Sequence, residues 1–92
     1  MSNNLTVADV IALSTIVDAA SQSAHVRWLD ERGDIREGVA RHIVRGATDF
    51  GFIDQTTDVR DAFLRITSGF EITIPVRDLM GMVMRGEFVI DN

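Results

Sequence analysis

The chain contains no cysteine and no lysine, and its longest apolar stretch is short. Without cysteine it forms neither disulfide bonds nor thiolate zinc sites. Residues 7–20 are the most apolar segment, but two aspartates and two hydroxyl residues interrupt them, and a bilayer span needs roughly 18–20 apolar residues. Residues 1–6 lack the basic and apolar regions of a signal peptide. We therefore expect a soluble, cytoplasmic protein without a membrane partner.

The charged residues are nine arginines against ten aspartates and four glutamates, for a net charge of −5. This balance argues against a general binder of the phosphate backbone, whose surface is basic. Codon bias in a high-GC genome explains the use of arginine alone more simply than a demand for bidentate or stacking guanidinium groups.

The length of 92 residues predicts a single domain, residues 1–92. Hydrophobic residues make up 46% of the chain and the mean hydropathy is +0.11. A domain of this size has little interior in which to bury so much apolar surface. The surplus predicts self-association or a permanent protein partner.

An amphipathic helix is predicted over about residues 6–22. Thr6 is placed to cap it, and Asp9 completes an imperfect capping box in which Asp replaces the usual Glu or Gln. Apolar residues then recur at helical spacing, and polar residues occupy the other side. The residues of this apolar stripe are Val10, Leu13, Val17 and Ala20.

The remainder, about residues 24–90, is rich in the period-two alternation of strands. Two strands at residues 24–30 and 35–44 flank a turn in which Gly33 takes a positive φ, and a kink or bulge is expected near Gly38. The further predicted elements are a strand at 48–53 with Phe50 and Phe52 on one face, an acidic loop at 54–61, a hairpin of 62–67 and 70–75, a helix at 76–85 and a closing strand at 87–90.

These elements predict an α+β fold, in which an N-terminal amphipathic helix precedes a strongly bent antiparallel sheet or small barrel of five to six strands, with a short helix before the last strand. This order resembles the SH3-like and Sm-like small β-barrels, a resemblance that implies barrel closure. The small size, the codon usage and the absence of diagnostic motifs resemble small accessory proteins of phages that infect high-GC bacteria. That second resemblance implies a regulator that acts on a host protein.

Residues that enzymes use are present, but not in the patterns that catalysis requires. His25 and His42 belong to no paired metal motif, and a metal site needs three or four converging ligands. Asp54, Asp58 and Asp61 lack the alternation, central glycine and terminal glutamate of a calcium loop, so a solvated turn is expected. Neither a nucleophile elbow nor a phosphate loop is present. We expect no enzymatic activity, cofactor or metal.

The first candidate binding surface combines the N-terminal helix with the methionines of the second helix. Methionine side chains adapt to irregular surfaces and occur at protein interfaces. On a helix Met80 and Met84 lie together while Met82 points elsewhere. The alternative is that two methionines fill the core and one is exposed. The candidate interface residues are Val10, Leu13, Val17, Met80, Met82 and Met84.

The second candidate surface is the arginine-rich first hairpin, which suits single-stranded nucleic acid if its tryptophan stacks on bases. Four acidic residues interleaved there nearly cancel its charge, which favours a mixed, solvated hairpin. The candidate nucleic-acid residues are Arg27, Trp28, Arg32, Arg36, Arg41 and Arg45.

The leading functional hypothesis is a non-enzymatic protein-binding or regulatory accessory module, either a homo-oligomer or the partner of a larger protein. The alternative is a nucleic-acid-binding regulator that uses Trp28 and the arginine hairpin. A third hypothesis is an acidic mimic that blocks a DNA-binding protein. That mimic requires one strongly negative face, whereas this sequence distributes both signs along the chain.

Overall fold

The computed structural model describes residues 5–44 and 59–91, which form an α+β fold with two helices packed on one face of a five-stranded antiparallel sheet. The predicted fold class is confirmed. The predicted strand at 48–53, and residues 54–58 of the predicted acidic loop, lie outside the described residues. The elements are α1 (Val7–Ser21), β1 (His25–Leu29), β2 (Ile35–Val44), a 3-10 turn (Val59–Asp61), β3 (Phe63–Thr67), β4 (Glu71–Pro75), α2 (Val76–Met84) and β5 (Phe88–Asp91).

Helix α1 begins at a complete capping box. The Thr6 side-chain oxygen accepts a hydrogen bond from the Asp9 backbone N–H at 3.1 Å, and the Asp9 carboxylate accepts one from the Thr6 N–H at 3.0 Å. Aspartate therefore takes the place of the usual glutamate here, and two otherwise unpaired N–H groups are satisfied. The bounds agree with the predicted helix to within a residue at each end.

The face that α1 buries differs from the predicted apolar stripe. Ala12, Ile16 and Ala19 are fully buried, whereas Val10 and Val17 are exposed. Because α1 carries apolar residues nearly all round, periodicity alone does not distinguish the packed face from the outer one. The two small alanines allow the helix to lie close to the layer beneath it.

The sheet order is β4-β3-β2-β1-β5, and all paired neighbours are antiparallel. Strands β4 and β5 are the edges, so the described strands form an open sheet and do not close into a barrel. Helix α2 connects these two edges across the helix-bearing face. It starts directly after Pro75, whose missing N–H costs nothing at a helix start.

The turn between β1 and β2 confirms the prediction for Gly33, which has φ +84°. The bulge predicted near Gly38 lies instead at Arg41 and His42, where two residues of β2 face one residue of β3. Gly38 is needed for a different reason, because β3 passes directly over it. A Cβ there would lie 2.6 Å from the Ile66 Cγ2 atom.

The core lies between the sheet and the two helices. Alternation puts Val26 and Trp28 of β1 on the helix-facing side, and both are buried. The remaining large core residues come from α1, β3, α2 and β5. They include Ile16, Leu64, Ile66, Val76, Leu79, Met80 and Phe88.

Candidate interaction surfaces

The outward side of α1 is unusually apolar for a helix that faces solvent. Val7 is 76% exposed, Val10 49%, Ile11 60% and Val17 44%. We call these four residues the α1 outer face. Helices on protein surfaces normally carry charged or polar residues there, and an exposed apolar group of this kind is typical of an interaction site.

The structure separates the predicted interface residues into three groups. Val10 and Val17 lie on the α1 outer face, while Leu13 packs partly buried against the core. On α2, Met80 is buried, Met82 is partly buried against the core, and Met84 is exposed. Two methionines thus point toward the core and one toward solvent. Val7 and Ile11 are not among the predicted interface residues, because they lie outside the single apolar stripe that the helical spacing predicts.

A groove of about 410 Å³ lies between β4, α2 and the tip of the β1–β2 hairpin. We call it the edge groove. Its apolar floor includes Trp28, Ile72, Ile74 and Met82. The sequence does not predict this groove, because its walls come from segments about 40 residues apart that only the fold brings together.

The hairpin wall of the edge groove is held in place by the Asp30 carboxylate. One oxygen accepts hydrogen bonds from the backbone N–H groups of Arg32 and Asp34, both at 2.9 Å. The other accepts from Arg36 Nε at 3.0 Å. The Arg36 hydrogen bond, followed by the Asp34 N–H, holds the pKa of Asp30 below its ordinary value. The carboxylate thus stays ionised and fixes the turn.

The face of the sheet opposite the helices, here called the open face, carries paired charges. His25 Nε2 lies 3.0 Å from Glu37 Oε1, and its Nδ1 lies 3.6 Å from Asp91 Oδ2. Arg27 Nε lies 3.6 Å from the same Asp91 oxygen, and Arg65 contacts an acidic neighbour on β4 in a similar way. The arginines on this face therefore meet carboxylates and create little net positive potential.

The arginine hairpin does not present its predicted nucleic-acid residues on one surface. Trp28 is only 4% exposed and faces the helices, whereas Arg27 lies on the open face. Arg36 binds Asp30, and Arg32 is exposed at the turn. Arg41 donates to the Thr67 hydroxyl at 3.1 Å, and Arg45 lies outside the described residues. The buried indole leaves little ring surface for stacking on a base.

The predicted histidines and aspartates are also dispersed. Within residues 5–44 and 59–91 no three His, Asp or Glu side chains converge as a metal site requires. His25 has its two carboxylates on opposite ring nitrogens, and His42 is exposed at the bulge. Asp61 pairs with Arg77 at 2.9 Å, while Asp54 and Asp58 lie outside the described residues.

No protein-family model, curated protein or solved structure matches this chain. The likeness of its element order to SH3-like and Sm-like barrels stays a prediction. In the described part of the chain, neither helix has the length and apolarity needed to cross a membrane. The α1 outer face and the edge groove are therefore interpreted from their own geometry.

Proposed function

We propose that this protein is a non-enzymatic protein-binding module of the cytoplasm that self-associates through the α1 outer face. The observation that carries the proposal is the exposure of four large aliphatic side chains along one side of α1. A helix that is apolar nearly all round is normally buried on all sides. A second protein surface packed against α1 would bury these exposed side chains.

The α1 outer face suits a second copy of the same chain. Val7 and Val17 mark its two ends, about 15 Å apart along the helix. An antiparallel pair of helices about a two-fold axis packs Val7 of each protomer against Val17 of its partner. Asp18 then lies beside the partner helix's N-terminus, whose unpaired N–H groups favour a negative charge.

The size of this face predicts a weak dimer. Complete burial of a valine or isoleucine side chain stabilises by about 1.5–3 kcal/mol, and these side chains are about half exposed. Four residues on each of two protomers then contribute about 8 kcal/mol. Association costs about 4–15 kcal/mol in lost freedom, so the two terms are close and the dimer forms only at high protein concentration.

Light scattering coupled to gel filtration, over a wide concentration range, tests the proposal. We expect the mass of the wild type to rise from monomer toward dimer, with little dependence on salt because the contact is apolar. Ile11→Glu places a charge in the α1 outer face and is expected to keep the chain monomeric. The matched control is Ile35→Glu, because Ile35 is 72% exposed on the open face, and it should dimerise like the wild type.

Two results would count against the proposal. A wild type that stays monomeric at the highest concentrations leaves the α1 outer face without a second copy. Equal loss of dimer in both variants would place the contact elsewhere or trace it to a general loss of stability. If the monomer instead captures a host protein through Ile11, the phage-like accessory role gains support and the self-association does not.

The nucleic-acid alternative has less support. Its tryptophan is buried, and Arg36 and Arg27 lie beside the carboxylates of Asp30 and Asp91. Binding to a phosphate backbone needs net neutralisation by basic groups that are available to it.

A further inference from the structure

We propose that the edge groove binds an extended peptide segment of another protein, which adds to the sheet as a strand beside β4. The groove shares no residue with the α1 outer face, so this inference goes beyond the proposed self-association and does not depend on it. The partner that fits is a segment that alternates apolar and basic residues.

Strand β4 lines the groove with one of its two edges. All four residues 72–75 contribute to its wall. Successive side chains of a strand point to opposite faces, so a groove lined by four in a row runs along the edge of the strand. Strand β3 pairs with the other edge, and no described strand pairs with this one. The backbone groups here form a template for a further strand.

Pro75 limits the length of that template. Proline has no N–H to donate to a ladder, so pairing ends at this residue. Thr73 then supplies the backbone N–H and C=O groups that face the groove, because those of Ile72 and Ile74 point toward β3. An added segment of about three to four residues fits, which agrees with a groove volume at the low end of the roughly 300–1,000 Å³ typical of ligand sites.

The floor and the wall of the groove determine which side chains of the bound peptide are favoured. Residues of an added strand that point the same way as Ile72 and Ile74 face the apolar floor, where the flexible Met82 adapts to their shape. The charged lining consists of three carboxylates and two guanidinium groups, so its net charge is −1. These groups are Asp30, Glu31, Asp78, Arg32 and Arg36. The groove therefore favours a peptide in which a basic residue stands next to an apolar one.

A lone peptide fits this groove better than β4 of a second copy. The hairpin tip stands opposite β4 across the groove. A second β4 would bring its own paired β3 along, and that strand would meet the hairpin tip. A free segment has no such attachment.

The probes for the test are two blocked six-residue peptides that alternate valine with arginine or valine with glutamate. Trp28 is the only tryptophan and lies in the groove floor, so its fluorescence reports on occupation. The full chain is titrated at a concentration below self-association. We expect the arginine peptide to change the Trp28 emission and the glutamate peptide to bind more weakly.

Charge reversal at Asp78, which is exposed on α2, separates groove binding from general attraction to an acidic protein. Asp78→Arg is expected to weaken the arginine peptide about threefold to tenfold. The matched control Glu37→Arg makes the same change of net charge at an exposed position of the open face, outside the groove, and should leave the affinity unchanged. Equal weakening in both variants would overturn the proposal.

Hydrogen exchange of the wild type provides the second readout. The arginine peptide is expected to slow exchange at the Thr73 backbone amide, because Thr73 points to the free edge whereas Ile72 and Ile74 lie at the positions hydrogen-bonded to β3. An unchanged Trp28 emission together with unchanged exchange at millimolar peptide would overturn the proposal. Slower exchange at β4 that follows protein concentration without any peptide would assign the groove to a second copy instead.

Discussion

Gly38 lies in β2 at a point where β3 passes so close that no side chain fits, and Gly38→Ala tests this packing directly. A Cβ at this position would lie 2.6 Å from Ile66 Cγ2 and 2.7 Å from the Thr67 carbonyl oxygen. Ile66 is fully buried, and the Thr67 oxygen belongs to the backbone. Neither moves away without displacing β3, so the added methyl group forces the two strands apart.

The expected loss of stability follows from two opposing terms. Overpacking of a well-packed interior costs about 1–3 kcal/mol. Replacing glycine by alanine restricts the unfolded chain, which favours the folded state by about 0.4–1 kcal/mol. The steric term is the larger, and the net loss is about 1–2 kcal/mol. For a domain of this size each kcal/mol lowers Tm by about 4–8 °C.

Gly81→Ala is the matched control, because the same substitution meets a different environment there. In α2 the new Cβ approaches only the Arg85 guanidinium, with its nearest atom at 3.0 Å, and that flexible end moves aside. Alanine in a helix interior is favoured over glycine by about 0.8–1 kcal/mol, so this variant should gain stability. Urea unfolding followed by Trp28 fluorescence measures both. A Gly38→Ala protein as stable as the wild type would refute the close approach of β3.

Two further stability predictions concern single hydrogen-bonded groups. Thr6→Ala removes the acceptor for the Asp9 N–H, and we expect urea unfolding to show a loss of about 1 kcal/mol; no change would mean that the capping box does not form in solution. Asp30 has a pKa below its ordinary 3.8, so its charge contributes stability that is complete above that pH and is lost as the pH falls through the lowered value. Asp30→Asn keeps an acceptor for the turn N–H groups, and its stability should fall less than that of the wild type below pH 3.8; parallel curves in acid unfolding would contradict this assignment.

The bounds of the regular elements follow from local chemistry, and here the sequence is sufficient. The Thr6 and Asp9 pair marks the start of α1, and Pro75 marks the junction of β4 with α2. Gly33 identifies the tight turn of the first hairpin. Each of these signals acts within a few residues, so no knowledge of the rest of the fold is needed.

The role of Gly38 and the packed face of α1 depend on contacts between distant segments. Gly38 indicates a bulge by its type alone, yet the close approach of β3 explains its presence and the bulge lies at residues 41–42. On α1 the small residue Ala12 packs inward while the larger Val10 faces outward. Size and hydropathy predict the opposite, because the fit against the neighbouring layer decides the outcome.

The candidate surfaces are likewise predictable from the sequence only in part. An apolar surplus, and α1 as its location, follow from composition and pattern. The exposure of Val7 and Ile11 does not, since it depends on which side of α1 packs. The edge groove requires the sheet order, because only that order leaves β4 at an edge beside the hairpin tip.

Self-association through the α1 outer face can be followed residue by residue in a dilution series of amide NMR spectra of the wild type. We expect increasing concentration to shift the amide signals of Val7, Val10, Ile11 and Val17 while the signals of the sheet stay in place. Spectra that do not change between micromolar and millimolar protein would contradict it. So would shifts confined to residues outside α1.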